Sequence, residues 1–178
     1  TTVSAQETVI FHGDRMVYDR SFFMVLLEGH ATFLYGDYSL QADALSWDQH
    51  WQILEAHGDV YLFMPEVSVR AESLVFDLSK NLLTVQNGTI VYADRLTAEV
   101  ERAVLTPEQL SVQNAKLSVT SLPFTLGVQS AVFFPQAIED NLQLSNVQFP
   151  ILDLQVPYLV FSVPSDDLPD TLPLEIKR

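Results

Sequence analysis

What most constrains this chain is an internal repeat. Asp14-Arg15-Met16-Val17-Tyr18-Asp19, Asp43-Ala44-Leu45-Ser46-Trp47-Asp48 and Glu72-Ser73-Leu74-Val75-Phe76-Asp77 all read acid, x, apolar, x, aromatic, Asp, at a step of 29 residues. A glycine follows each about ten residues on, at Gly29, Gly58 and Gly88. After the glycine comes a strand-like run, Ala31-Phe33-Tyr35, Val60-Leu62-Met64 or Ile90-Tyr92, and then a second alternating run, Tyr38-Leu40-Ala42, Val67-Val69-Ala71 or Leu96-Ala98-Val100. A fourth copy, Glu101-Arg102-Ala103-Val104-Leu105-Thr106, keeps the step but replaces the aromatic by Leu105 and the last Asp by Thr106. A fixed period of this size marks stacked units that share one continuous core.

Within each unit the apolar period is 2, the signature of strands with one buried face, and β-branched and aromatic residues dominate. The parity of the pattern switches near Asp43: Tyr38, Leu40 and Ala42 share a face, whereas Leu45 and Trp47 are offset by an odd number. A bend at Asp43 brings both runs onto one interior. The expectation is therefore an all-β protein, three short strands and two corners per 29 residues, coiled so that each turn stacks on the last. The repeats span about 13–41, 42–70 and 71–100, with the weak fourth at 101–120. The stacked domain as a whole covers 8–163, with 164–178 as a tail or the start of a following element.

Composition narrows the function classes. Nine Lys+Arg against 23 Asp+Glu give a formal charge of −14, which argues against nucleic acid as a partner, since phosphate backbones are gripped by cations. With no cysteine there is no disulfide, thiolate metal site or Cys nucleophile. Forty-eight percent hydrophobic residues exclude a disordered chain, yet the longest apolar run, Phe22–Leu27, is far short of the roughly 20 residues of a spanning helix. Thr1–Glu7 has neither a basic nor an apolar stretch of the kind a signal peptide needs. From Leu117 to Ile176 there is no Lys or Arg, and seven of the nine prolines fall between Pro123 and Pro173. Strand texture continues there in Ala131–Phe134, Leu142–Val147, Phe149–Leu154 and Val156–Pro164, so 121–163 is expected to supply closing strands, with prolines at edges or strand starts. Leu172–Arg178 breaks off within an element, as in a fragment of a longer chain.

Residues that carry chemistry are sparse. His12, His30, His50 and His57 show no metal-ligand spacing, and His50 and His57 are expected on solvent loops. Asp19, Asp48 and Asp77 form a carboxylate row that invites a glycosidase or calcium site, but Asp after a strand more readily closes a hydrogen-bonded turn. There is no G-x-S-x-G and no phosphate-binding glycine loop. The chain is expected to have no catalytic residues, no metal and no cofactor.

The unit Ala42–Asp48 … Glu55-Ala56-His57-Gly58-Asp59-Val60, with its next copy Ala71–Asp77 … Val85-Gln86-Asn87-Gly88, resembles the OstA-like β-jellyroll family of lipopolysaccharide transport, which LptA, LptC and the periplasmic domain of LptD share. The family pattern, A-D-x-L-x-Y-D and then A-x-G-x-V, covers about residues 13–100. Leu152–Pro164 is similar to the segment that precedes the barrel in LptD-like proteins, which points to the N-terminal domain of LptD; the cysteines common there are missing and no barrel follows, so an LptA-like or LptC-like member is the alternative. The resemblance implies an open stacked jellyroll (a β-taco) in the periplasm, associated with the outer membrane. It implies a non-enzymatic module whose apolar trough shields the acyl chains of lipopolysaccharide or a related glycolipid. Other jellyrolls of the pathway would join by β-strand augmentation at the Val9–Asp19 edge, and an outer-membrane barrel in the same chain is a further implied partner. The trough positions are Phe33, Leu40, Leu45, Trp47, Leu62, Val69, Leu74, Phe76, Ile90 and Leu96. Core and trough use the same residue types, so the same side chains fit the plain core of a structural β-solenoid scaffold.

Overall fold

The computed structural model describes residues 9–120, 123–134, 141–150, 154–162 and 174–177. They form strands β1 (Val9–His12), β2 (Arg15–Asp19), β3 (Met24–Tyr35), β4 (Tyr38–Asp48), β5 (Ile53–Met64), β6 (Val67–Asp77) and β7 (Leu82–Tyr92). The series continues with β8 (Leu96–Leu105), β9 (Leu110–Val119), β10 (Thr125–Phe133), β11 (Asn141–Gln148), β12 (Gln155–Ser162) and β13 (Leu174–Lys177). From β3 onward each strand pairs antiparallel with the next, in one sheet, while β1 and β2 lie end to end along β3.

All-β stacking is as the repeat predicts, but the connection differs from a coil. Each 29-residue unit is a hairpin of two long strands with one corner in each; bulges in β3 and β5 bend the first pairs without ending their ladders, while β6 to β9 pass the corner with register unshifted. Gly29 and His30 on β3 stand against the single residue Asp43 on β4, and Gly58 and Asp59 on β5 stand against Glu72 on β6. The left-handed backbone of Gly29 (φ 75°) and Gly58 (φ 79°) makes the corner. A Cβ there would lie 2.6 Å from Asp14 Oδ2 and 2.5 Å from Asp43 Oδ2, so any other residue must displace that carboxylate as well as hold a left-handed backbone. In β7 and β9 the left-handed residue is Asn87 (φ 50°) or Asn114 (φ 49°). The first acid of every repeat faces this corner. His30 Nδ1 lies 2.9 Å from Asp14 Oδ2, Asn87 Nδ2 donates to Glu72 Oε2 (3.1 Å), and Asn114 Nδ2 donates to Glu101 Oε2 (2.6 Å).

The bends divide the sheet into two facing halves. One holds the first half of β4, β6 and β8 with the second half of β3, β5 and β7; the other holds the remaining halves. Buried parity switches across the corner as expected, from Leu40 and Ala42 to Leu45 and Trp47 in β4, and from Val69 and Ala71 to Leu74 and Phe76 in β6. Aromatic contacts cross between the halves: Phe33–Trp47 (ring centroids 5.4 Å), Tyr38–Phe76 (5.9 Å) and Tyr92–Phe133 (5.6 Å). Among the described residues no polar or charged side chain is buried.

The carboxylate row closes turns. Asp48 Oδ1 accepts from the His50 and Trp51 amides (both 3.0 Å), Asp77 Oδ1 from Ser79 and Lys80 (3.1 and 3.2 Å), and Asp19 Oδ1 from Ser21 and Phe22 (2.9 and 3.4 Å). In the faint fourth copy Thr106 Oγ1 does the same for the Glu108 and Gln109 amides. Two sequence expectations are corrected. His50 is on a turn, but His57 is an exposed residue inside β5, because the corner follows it. Phe149 and Leu154 belong to the β11–β12 turn, where the Phe149 amide donates to the Leu154 carbonyl (2.8 Å), and 151–153 lie outside the described residues. Leu174–Lys177, which lies in the stretch read as a tail or the start of a following element, pairs with β12.

Candidate functional site: the interior and its mouth

The ten interior positions read from the alternation are all buried, none more than 7% exposed. Phe33, Leu40, Leu62, Val69, Ile90 and Leu96 come from one half of the sheet and Leu45, Trp47, Leu74 and Phe76 from the other. The bend at each corner turns both sets onto the same apolar interior. Tyr18, the first member of the aromatic row, departs from Trp47 and Phe76: it is 47% exposed because β2 is an edge strand. Met16, paired with buried Leu27, and Tyr18, paired with buried Val25, point to the interior face, yet Met16 is 62% exposed. Among the described residues nothing covers the interior face of β2.

The interior also has a mouth. Opposite the corners, the turns of the two halves form two rims, and between them lies a cavity of about 280 Å³. Tyr38, Met64 and Tyr92 line it from one rim; Phe76, Leu83 and Leu105 line it from the other. Burial, with the nearby Glu66 charge adding to it, pushes the Tyr92 phenol above its ordinary value, so the hydroxyl stays protonated. Of the ten predicted positions only Phe76 lines this cavity. Tyr38 and Tyr92 stand in the alternating runs of the sequence, and Leu83 and Leu105 follow the same period. Which strand ends gap apart depends on the facing rim, which sequence spacing does not report.

Among the described residues the histidines are dispersed. His12, His30, His50 and His57 are all exposed, and the four lie on separate strands or turns. Among the described residues no group of three or more His, Asp or Glu is placed to hold a metal ion, and no helix is long and apolar enough to cross a membrane. What the arrangement can do is exclude water from hydrocarbon, at about 0.8 kcal/mol per buried methylene.

A single open antiparallel sheet, bent over one apolar interior, defines the class: this is an LptA-like β-jellyroll fold. No protein family profile and no curated protein matches the sequence. Among solved structures the chain is similar to LptH from Pseudomonas aeruginosa, described as the LptA-homologous periplasmic component of the lipopolysaccharide transport device. The TM-score is 0.56 at 13% identity, covering 68% of this chain and 94% of LptH. The likeness is one of fold.

Proposed function

We propose that this chain is a non-enzymatic lipopolysaccharide-transport module of the periplasm that shields acyl chains between the two halves of its sheet. The observation that carries the reading is the mouth: an LptA-like sheet whose wholly apolar interior reaches solvent through a cavity lined by Tyr38, Phe76, Leu83, Tyr92 and Leu105. Acyl chains lie along Phe33, Leu40, Leu45, Trp47, Leu62, Val69, Leu74, Phe76, Ile90 and Leu96, and the sugars stay outside the rims. Because these side chains are in mutual contact, a guest has to part the two rims, and the cavity is where the parting begins. Neighbouring jellyrolls add at the β1–β2 edge, where the apolar groups Met16 and Tyr18 wait for a cover. The LptD-like assignment, with an outer-membrane barrel downstream, rests on the residues of 152–164. Amphipathic strands of about ten residues following in the native chain are its test.

A photo-crosslinking residue at Leu105 in cells making labelled lipopolysaccharide tests transport. The expected result is a lipopolysaccharide adduct at Leu105 and none at outward-facing Glu99. A folded protein without an adduct at either position favours a scaffold that carries no lipid.

A further inference from the structure

Two neighbouring turns on one rim carry three aromatic rings out into solvent. Phe22 and Phe23, between β2 and β3, are 70% and 52% exposed, and Trp51, between β4 and β5, is 65% exposed. These tips are built rigidly. The Asp19 and Asp48 carboxylates bind the turn amides, the Gln49 amide donates to the Phe23 carbonyl (2.9 Å) and joins the turns, and Tyr18 Oη donates to Gln49 Oε1 (3.3 Å). Phe23 (φ 53°) and Gln52 (φ 55°) hold the left-handed backbone that turns the chain back. An open hollow of about 440 Å³ separates the rings of the first turn from Trp51. Residues that merely filled a core would not be displayed on braced turns.

We infer that these tips insert into the interfacial layer of a phospholipid bilayer. Two observations select that occupant. At 150–250 Å² per aromatic side chain, three rings exposed by half to two thirds offer about 400 Å². That is half of the roughly 800 Å² per partner of a stable protein interface, but it suits side chains that sink into a fluid interface. Trp and Phe are the rings that settle at headgroup depth and below it. The aromatic rim mixes Arg20 and Lys80 with Asp19, Asp48, Asp77 and Glu108, and the opposite rim mixes Arg95 with Asp37, Glu66 and Asp94, so charge draws neither rim to an anionic surface and the zwitterionic lipid is the one these rings fit. Bound this way, the molecule rests on one rim with its mouth beside the lipid surface. The inference stands independently of what the interior carries.

The test is flotation of the whole chain with phosphatidylcholine vesicles, read with tryptophan emission. Trp47 is buried, so a change on binding reports Trp51. The wild-type chain is expected to float with the vesicles, to shift its emission to the blue, and to be quenched by brominated phosphatidylcholine. Higher salt should change little. The combined variant Phe22→Ser, Phe23→Asn and Trp51→Ser should lose at least tenfold in partitioning while keeping its circular dichroism and thermal midpoint. Asn is chosen at position 23 because it tolerates the left-handed backbone. A folded variant that floats as well as the wild type, or a wild type that does not float, overturns the inference. So does a wild-type oligomer that the variant reduces to monomer while neither binds vesicles, which would make the rings a contact between copies.

Discussion

At the scale of single residues, the corners give the sharpest expectations. Gly58 combines a left-handed φ of 79° with a Cβ position 2.5 Å from Asp43 Oδ2. Gly58→Ala should therefore cost about 1–3 kcal/mol, measured by urea unfolding. Adding Asp43→Ala should restore the steric part and leave the backbone part. His30, hydrogen-bonded to Asp14, has its pKa raised above 6.5, chiefly by that hydrogen bond and then by the Asp14 charge. A raised folded-state value means a contribution present below the unfolded pKa and lost as pH rises through the folded one. An NMR titration should show the His30 midpoint above that of an unfolded-chain reference, falling back in Asp14→Asn. Asp77 runs in the opposite sense: its hydrogen bond from Ser79 Oγ, with those from the backbone, lowers its pKa, so its contribution is present above 3.8 and lost as pH falls through the folded value. Legibility at this scale was uneven. Turn formation by Asp19, Asp48 and Asp77 followed from residue type and place, whereas the exposure of Tyr18 did not, because an edge is a property of neighbours that the 29-residue pattern lacks.

At the scale of elements, period and parity revealed the bend at Asp43 but divided each unit into too many strands. The corner looks like a strand end in sequence, since Gly and Asp sit there. In the sheet the ladder runs through it, with Ala44 opposite Glu28 and Ala42 opposite Ala31. The C-terminal third was less legible because its prolines blur the alternation, and the Phe149–Leu154 run proved to flank a turn. The edge strand β2 carries the assembly prediction. Met16→Lys with Tyr18→Lys places charge on the interior-facing groups left bare there. Both are well exposed and Tyr18 gives up only its hydrogen bond to Gln49, so the stability of the monomer should fall by no more than about 1.5 kcal/mol. Head-to-tail association, followed by sedimentation velocity across a concentration series, should be lost. Association unchanged by the two lysines would mean that modules do not join at this end.

At the scale of the whole molecule, the motifs at 42–60 and 71–88 made the jellyroll class readable at 13% identity to LptH, since a bent strand needs a glycine or its equivalent at a fixed place. The sequence could not show that the halves touch through Phe33–Trp47 and Tyr38–Phe76, nor where they part, since contact across the interior joins residues far apart in the chain. Packing this close predicts that Leu74→Ala or Ile90→Ala costs about 2–5 kcal/mol, read as a fall in urea midpoint. The central claim is that a lipid's acyl chains enter between the rims, and calorimetric titration of lipopolysaccharide into the wild type and a mouth-filling Leu105→Trp variant tests it most directly. The wild type should bind saturably with a negative heat-capacity change, and a variant that unfolds at the same temperature should bind at least tenfold more weakly. Binding of equal strength by the filled variant, or none by the wild type, would contradict it.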